Sequence, residues 1–592
     1  MLFFDFAKVL QKIDSTTLRN QITVDLADLF SRLEKEEIEP ACWLLLGRIM
    51  PPYEGLEFQF AEKMMARAIA EAFATPLEEV TRIYKEYGDL SRVAMEVATL
   101  AKVLVHQQHT VSEIFSKLRS LAEEGGEGSQ ERKVKIVVEL LGSLDPLSVR
   151  YVVRIVLTKL RLGFSDMTML DALSWAIKGD KSDRKILEDA YQNKHDIGKL
   201  ALAYLTKKEE GIAHFDIELG IPIQPALCQR LRSPQEMIEK MGKVFVESKY
   251  DGTRVQIHIR QAKNGSSSKS DDWRVRTFTR SLEESSAMFP ELEEWLAVFG
   301  AHDLILDSEA IGFDPTTGKL LAFQETIQRK RKHDVGEFSK KIPLKFFVFD
   351  ILYLDGKRLL SEPLSKRKDL LHQLFGDTSI TTESSVLMTK SFQKGVFVES
   401  SYIVTESPDE LRDYHKKQLD YGLEGAVIKQ YDSVYQPGRK GWSWVKFKEE
   451  EDASGKLSDT IDAVVMGYWY GKGKRNQFGI GAFLIGVMGK DEQILTLTKV
   501  GTGLTDEQWR ELKKRCELEV VDKQPTSYVV AKALVPDVWV DPKIVVEVAG
   551  DELTKSPNHS AGLALRFPRL VNFRDDKKVS DITTTEELES IK

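Results

Sequence analysis

From residue 1 to about residue 211 apolar positions recur every three or four residues, as in Ala61-Glu62-Lys63-Met64-Met65-Ala66-Arg67-Ala68-Ile69-Ala70, with strong helix formers between them. This predicts a run of helices, broken locally at Met50-Pro51-Pro52, Gly125-Gly126-Glu127-Gly128 and Asp145-Pro146. Asp14-Ser15-Thr16-Thr17 reads as a cap before a helix. Near Ile221-Pro222-Ile223-Gln224-Pro225 the period shortens to two. Strands are predicted at 244–247, 255–259, 273–278, 304–306, 346–349 and 426–428, with an exposed hairpin tip at 264–268 and helices around 291–299 and 407–417. The polar run 449–455 reads as a hinge. Beyond it, short glycine-bearing strands near 461–468, 481–487 and 544–548 predict a small β-barrel of OB type. The expected fold is multi-domain: an all-α domain over 1–212, an α+β domain over 213–449 and the barrel over 455–592.

Length and composition narrow the possibilities. At 592 residues the chain exceeds one core and fits three or four domains of roughly 150 residues. Hydrophobic residues at 42% and charged residues at 30% exclude a disordered chain. A net charge of −8, from 84 Lys+Arg against 92 Asp+Glu, argues against a uniformly basic nucleic-acid binder but allows a local basic face. Cys42, Cys228 and Cys516 lie far apart with no CxxC pair, which excludes Cys-rich zinc modules and a disulfide scaffold. Charge enters the N-terminus too early for a signal peptide, and no apolar run approaches the ~20 residues that cross a bilayer. A cytosolic or nuclear location without membrane contact is expected.

The strongest chemical signal is Glu247-Ser248-Lys249-Tyr250-Asp251-Gly252-Thr253-Arg254. A lysine ending an apolar strand, followed by a polar turn with glycine, sits half buried with Asp251 and Arg254 beside it. Burial and nearby cations lower a lysine pKa and favour the neutral, nucleophilic amine. Alone, KxDG is no more than a lysine near a turn. Its companions change that: Leu306-Asp307-Ser308-Glu309, the aromatic run Phe346 to Phe349 ahead of Asp350, Glu424-Gly425-Ala426-Val427-Ile428-Lys429, and Trp444-Val445-Lys446-Phe447-Lys448. The last places two lysines on one strand face, since successive side chains point to opposite faces.

In order and spacing these motifs resemble those of the covalent nucleotidyltransferases, and most closely the ATP-dependent DNA ligases. The resemblance spans almost the whole chain. Gly126-Glu127-Gly128-Ser129-Gln130-Glu131-Arg132-Lys133 and Lys159-Leu160-Arg161-Leu162-Gly163 look like the family's helical DNA-binding domain. Lys555-Ser556-Pro557, Gly562-Leu563-Ala564-Leu565-Arg566-Phe567-Pro568-Arg569 and Arg574-Asp575-Asp576-Lys577 resemble its last motif. That wording is similar to the archaeal branch and its eukaryotic replicative relatives.

The resemblance implies an adenylation domain in which Lys249 attacks the α-phosphate of ATP and holds AMP in a phosphoramidate. Glu247 would accept from the adenine amino group and Phe349 would stack on the ring. Arg254 and Arg280 would hold ribose and phosphate oxygens. Glu309 would contact the ribose and, with Glu424, orient Mg²⁺, with Mn²⁺ as an alternative metal. Lys429, Lys446 and Lys448 would neutralise phosphates. Asp251, Arg566, Arg569, Asp576 and Lys577 would serve the adenylation step, and Lys133, Lys159 and Arg161 the DNA backbone.

Where related ligases carry an Arg-Gly pair, the chain reads Arg439-Lys440-Gly441, so either cation is a candidate for the nucleotide phosphate. A sliding-clamp box is not matched by His106-Gln107-Gln108-His109-Thr110, which leaves clamp binding to analogy alone. Nicked duplex DNA is the expected partner of a monomer. An RNA ligase, a capping-type nucleotidyltransferase or a non-catalytic DNA clamp are the alternatives. Two hundred or so helical residues ahead of the lysine motif weigh against the first two, and the full charged set against the third. Each residue also has an ordinary reading: Phe349 as core, Glu309 and Lys448 as surface charges, Lys159 and Arg161 as exposed helix positions.

Overall fold

The computed structural model describes residues 1–592 apart from 102–106, 161, 232, 262–272, 300–301, 318, 322–341, 376–394, 439, 448–459, 472, 490–492, 551 and 592. The expected hairpin tip at 264–268 and the hinge at 449–455 lie outside the described residues, as do Arg161, Arg439 and Lys448. Two compact units are formed, one by residues 1–61 with 104–448 and the other by 62–103 with 449–592.

In the first unit the helical pattern is realised from Phe3–Asp14 through Ile197–Ala213. The local breakers serve as helix starts. Asp145 accepts from the backbone N–H groups of Leu147 and Ser148, both at 3.0 Å, and Pro146 opens the helix Pro146–Val156. The cap expected at 14–17 is a correction. The helix Arg19–Arg32 begins after Leu18 with no side-chain cap, and Asp14 turns instead to Arg150 at 2.6 Å and Arg154 at 3.1 Å. Two nearby guanidiniums outcompete the backbone for that carboxylate.

Two sheets follow. The first has five strands in the order Gln229–Arg230, Trp444–Phe447, Ala426–Gln430, Val244–Ser248 and Tyr402–Thr405. Val244–Ser248 is buried along its whole length because it is flanked on both sides. Val244 and Val246 pack with Met237, Leu411, Ala426 and Ile428. Phe245 and Glu247 point the other way, by the two-residue alternation of a strand. The second sheet runs Val275–Thr279, Thr253–Ile259, Leu304–Gly312, Leu344–Leu354 and Lys357–Arg358, with Phe397–Glu399 added in parallel to Leu344–Leu354. Trp444 of the first sheet packs with Ile305 and Leu352 of the second. Most of these strands run longer than the apolar cores that predicted them.

The segment leading into the sheets is clasped by side chains of Thr253–Ile259. Gln256 accepts from the Ile223 N–H at 2.8 Å and donates to the Ile223 carbonyl at 3.0 Å. His258 Nδ1 accepts from the Gly220 N–H at 3.0 Å, and its ring meets Phe278 edge-on. Burial first, and Arg276 second, push the imidazole from 6.5 down to about 3. The fold thus admits only the neutral ring. Its contribution is complete above pH 6.5 and is lost as pH falls toward 3, at up to about 1.4 kcal/mol per pH unit. In urea unfolding at pH 7.5 and 4.5, His258→Gln is expected to show the smaller loss on acidification. A parallel loss in both proteins would refute the assignment.

In the second unit Glu62–Ala72, Leu77–Tyr87 and Leu90–Leu100 are helices, the first matching its predicted apolar stripe. An eight-stranded sheet centres on Ile461–Trp469, Ala482–Met488 and Ile494–Val500. Its core joins Ile461, Val465, Phe483, Ile485 and Leu497 to Trp509, Leu512 and Cys516 of the helix Asp506–Leu518. The strands predicted at 461–468 and 481–487 are two of these three central strands. Val545–Ala549 answers to the strand predicted at 544–548, while Val520–Val521, Tyr528–Val529, Val538–Val540 and Arg569–Phe573 are too short to show a period. All three cysteines are free, and no described helix is long and apolar enough to cross a membrane.

Candidate active site

Lys249 directly follows Val244–Ser248, and its backbone is clasped by the start of the neighbouring strand. Its N–H donates to the Gly425 carbonyl at 2.9 Å, and its carbonyl accepts from the Glu424 N–H at 3.1 Å. The ammonium forms an ion pair with Glu424. Gly425 holds φ +122°, and a Cβ there would stand 2.6 Å from the Phe447 carbonyl and 2.7 Å from His415 Nε2. Only glycine permits this approach. The glycine of the KYDG stretch is explained likewise: a Cβ on Gly252 would lie 2.5 Å from the Ala310 carbonyl. Asp251 is part-exposed in the same turn.

Glu309 comes from the second sheet, in register with Arg254. Burial, then the like charges of Asp307 and Glu424, push its carboxyl up to about 8 against the pull of Arg254 and Lys249. Glu309 and Glu424 are thus two acids from different sheets close enough to feel each other. Among the described residues no group of three or more His, Cys, Asp or Glu could hold a metal ion.

Arg254 is committed to Asp307 by a two-point contact at 2.9 and 2.6 Å, and it also donates to the Ala226 carbonyl at 2.6 Å. Tyr435 donates to the same Asp307 at 3.0 Å. The Arg254 guanidinium lies 5.4 Å from the Phe349 ring and 5.6 Å from Trp444, whose planes meet nearly at right angles. Lys429 Nζ lies 4.4 and 4.1 Å from the same rings. It donates to Glu247 at 2.8 Å, diagonally across the strand pair, and burial lowers its pKa.

Lys249, Glu247, Glu309, Glu424, Arg254, Phe349 and Lys429 are therefore brought together where the two sheets face each other, with Lys446 half-buried on the adjoining strand. Arg280 stands exposed in the turn after Val275–Thr279. Lys440 contacts Glu188 at 3.0 Å and Gln192 at 3.2 Å on the helix Arg184–Asn193. Lys133 is a correction to the surface role expected for it: it is buried and donates to the Phe58 carbonyl at 2.8 Å, so its ammonium does not face solvent. Lys159 is part-exposed after the helix Pro146–Val156. In the second unit Arg566 is exposed and Arg569 half-buried around the turn that follows Leu563–Arg566. Asp576 pairs with Arg574 at 2.7 Å, and Asp462 receives both Lys577 at 2.5 Å and Arg574 at 3.1 Å.

Models of known families match three stretches of the chain. They are the DNA ligase N terminus over 2–174, the ATP-dependent DNA ligase domain over 225–448 and the ATP-dependent DNA ligase C-terminal region over 476–577. A protein named "Probable DNA ligase" from Dictyoglomus turgidum is 38% identical over 99% of this chain and 97% of its own. "DNA ligase 2" of Korarchaeum cryptofilum is 37% identical over 99% and 96%. The chain belongs to the ATP-dependent DNA ligase family. A solved structure described as Pmar-Lig_PreS3 shares the fold, with a TM-score of 0.54 over 96% of this chain and 99% of that one at 16% identity.

Three residues of this ligase's site were given no role by the motif reading. Asp307 and Trp444 each sit two positions from a residue the motifs supplied, Glu309 and Lys446, and so share its strand face. That alternation could have found them. Lys368, which contacts Glu247 at 2.8 Å, comes from a helix some 120 positions away and left no local sign.

Proposed function

We propose that this ligase seals nicks in duplex DNA through a lysyl-AMP intermediate. The Lys249 amine attacks the α-phosphorus of ATP, a P–N bond forms, pyrophosphate leaves and the amine gives up a proton. A 5′-phosphate oxygen at the nick then takes the AMP from Lys249, which regains its proton. The neighbouring 3′-hydroxyl finally attacks the activated 5′-phosphorus, and AMP leaves as the phosphodiester forms. The observation that carries this reading is the mutual backbone clasp of Lys249 with Glu424 and Gly425, its ammonium paired with Glu424 and within electrostatic reach of Glu309.

In this reading Glu247 accepts from the adenine amino group, Phe349 stacks on the base, and Arg254, Arg280 and Glu309 meet ribose and phosphate oxygens. Lys446 and Lys448 neutralise phosphate charge as it develops. Glu309 and Glu424 would hold Mg²⁺: two hard carboxylates, one of them pushed up to about 8 by burial and like charge, suit a divalent cation. When bound, the ion supplies compensation for phosphate charge. Residues 1–212, 213–449 and 455–592 serve as DNA-binding, adenylation and OB-type domains. Arg566, Arg569, Asp576 and Lys577 act in the adenylation step, and Lys159 and Arg161 on the DNA backbone. The test is joining of a nicked duplex with Mg²⁺ and ATP or GTP, against the same nick in RNA. Joining of nicked DNA with ATP is expected, and efficient joining confined to RNA would refute the reading.

A further inference from the structure

Glu247 is 2% exposed, yet two ammonium groups reach it from different layers. Lys429, 1% exposed, comes from the adjacent strand and holds Oε2 at 2.8 Å. Lys368, also 1% exposed, comes from the helix Leu364–Phe375 and meets Oε1 at 2.8 Å. Its ammonium lies 4.9 Å from the Tyr402 ring. The preceding residue, Arg367, pins the same helix to Asp350 of the second sheet at 2.8 and 3.0 Å. The helix is thereby tied to both sheets.

We propose that Lys368 is a positioning residue for nucleotide choice, fixing the Glu247 carboxylate so that it presents an acceptor to the base of the donor nucleotide. The proposal rests on the reading above that Glu247 meets the base. Lys368 reaches the carboxylate from the helix Leu364–Phe375 rather than from the strands that carry the other site residues, so it is placed to act through Glu247. A single anchor, Lys429, leaves a carboxylate free to swing about its terminal torsion. A second ammonium, ion-paired with the other oxygen, opposes that swing. An ion-paired carboxylate offers acceptors and no donor. It therefore matches the 6-amino group of adenine and opposes the 6-oxo group of guanine or hypoxanthine. Methionine would fill the space of Lys368 at no cost in desolvation, so packing alone does not require the charge.

The test follows lysyl-nucleotide formation by the full chain with ATP and with inosine triphosphate, reading KM and kcat separately. Lys368→Met is expected to raise the KM for ATP with a smaller change in kcat. It should also reduce the preference for ATP over inosine triphosphate by about tenfold or more, since a misplaced buried acceptor no longer rejects the 6-oxo group. Lys368→Arg should restore most of the preference, and Glu247→Gln should lose it. If Glu247→Gln keeps the preference, the base-reading role of Glu247 fails. If Glu247→Gln loses it while Lys368→Met, melting like the parent, keeps it, the positioning role of Lys368 alone is overturned. A fall in kcat with the preference intact overturns it equally. Should Lys368→Met fail to fold, Lys368→Gln carries the same expectations.

Discussion

Lys249→Ala is expected to give no covalent AMP adduct when the purified chain, stripped of prior adenylate, is incubated with ATP and Mg²⁺ and weighed by mass spectrometry. The loss is absolute because the amine is the atom that bonds to phosphorus. The side chain is one-fifth exposed and contributes little packing, so the variant should melt close to the parent. It should also still join a nick that already carries AMP on its 5′-phosphate, since that step needs no amine. An adduct of normal yield would remove Lys249 from the mechanism. Failure on the pre-adenylated nick alone would give it a further role.

The second large effect concerns stability. Arg367→Met is expected to destabilise the first unit by about 3–5 kcal/mol, because it strands the Asp350 carboxylate where no water reaches it. Both side chains are fully buried. Burial alone would raise the Asp350 carboxyl, but Arg367 holds it below the usual carboxylate range. Arg367 further donates to the Glu362 carbonyl at 2.6 Å. Urea midpoints read the loss, and the double variant Arg367→Met with Asp350→Leu should recover part of it by removing the orphaned charge. A midpoint unchanged in Arg367→Met would show that the pair is dispensable.

Much of the site was legible because strands expose their logic at a period of two. Glu309, Lys429 and Lys446 stand at or next to apolar runs that could only be strands, and Gly252 and Gly425 mark close backbone approaches. What resisted reading is set by distance along the chain. The motifs bring Glu247 and Lys429 to one place. Nothing local shows that they grip each other, or that Lys368 completes the grip. Arg254 was expected to hold ribose and phosphate oxygens, and no local pattern showed that Asp307 also takes two of its contacts. Lys133 illustrates the reverse error. A lysine within Gly126–Lys133 looks like a surface cation, yet the chain folds over it and its ammonium satisfies a buried carbonyl. Lone charges are usually solvated, and only the tertiary fold marks the exceptions.

The two reciprocal hydrogen bonds between Lys249 and the 424–425 backbone make the attacking amine and its acid a single mechanical part. The nucleophile and its ion-pair partner are thus held from one sheet, whereas Glu309 and Phe349 come from strands of the other, Leu304–Gly312 and Leu344–Leu354. Attempts to re-engineer this enzyme for bulkier donors therefore belong on that far wall, where a shift widens the berth without disturbing the nucleophile.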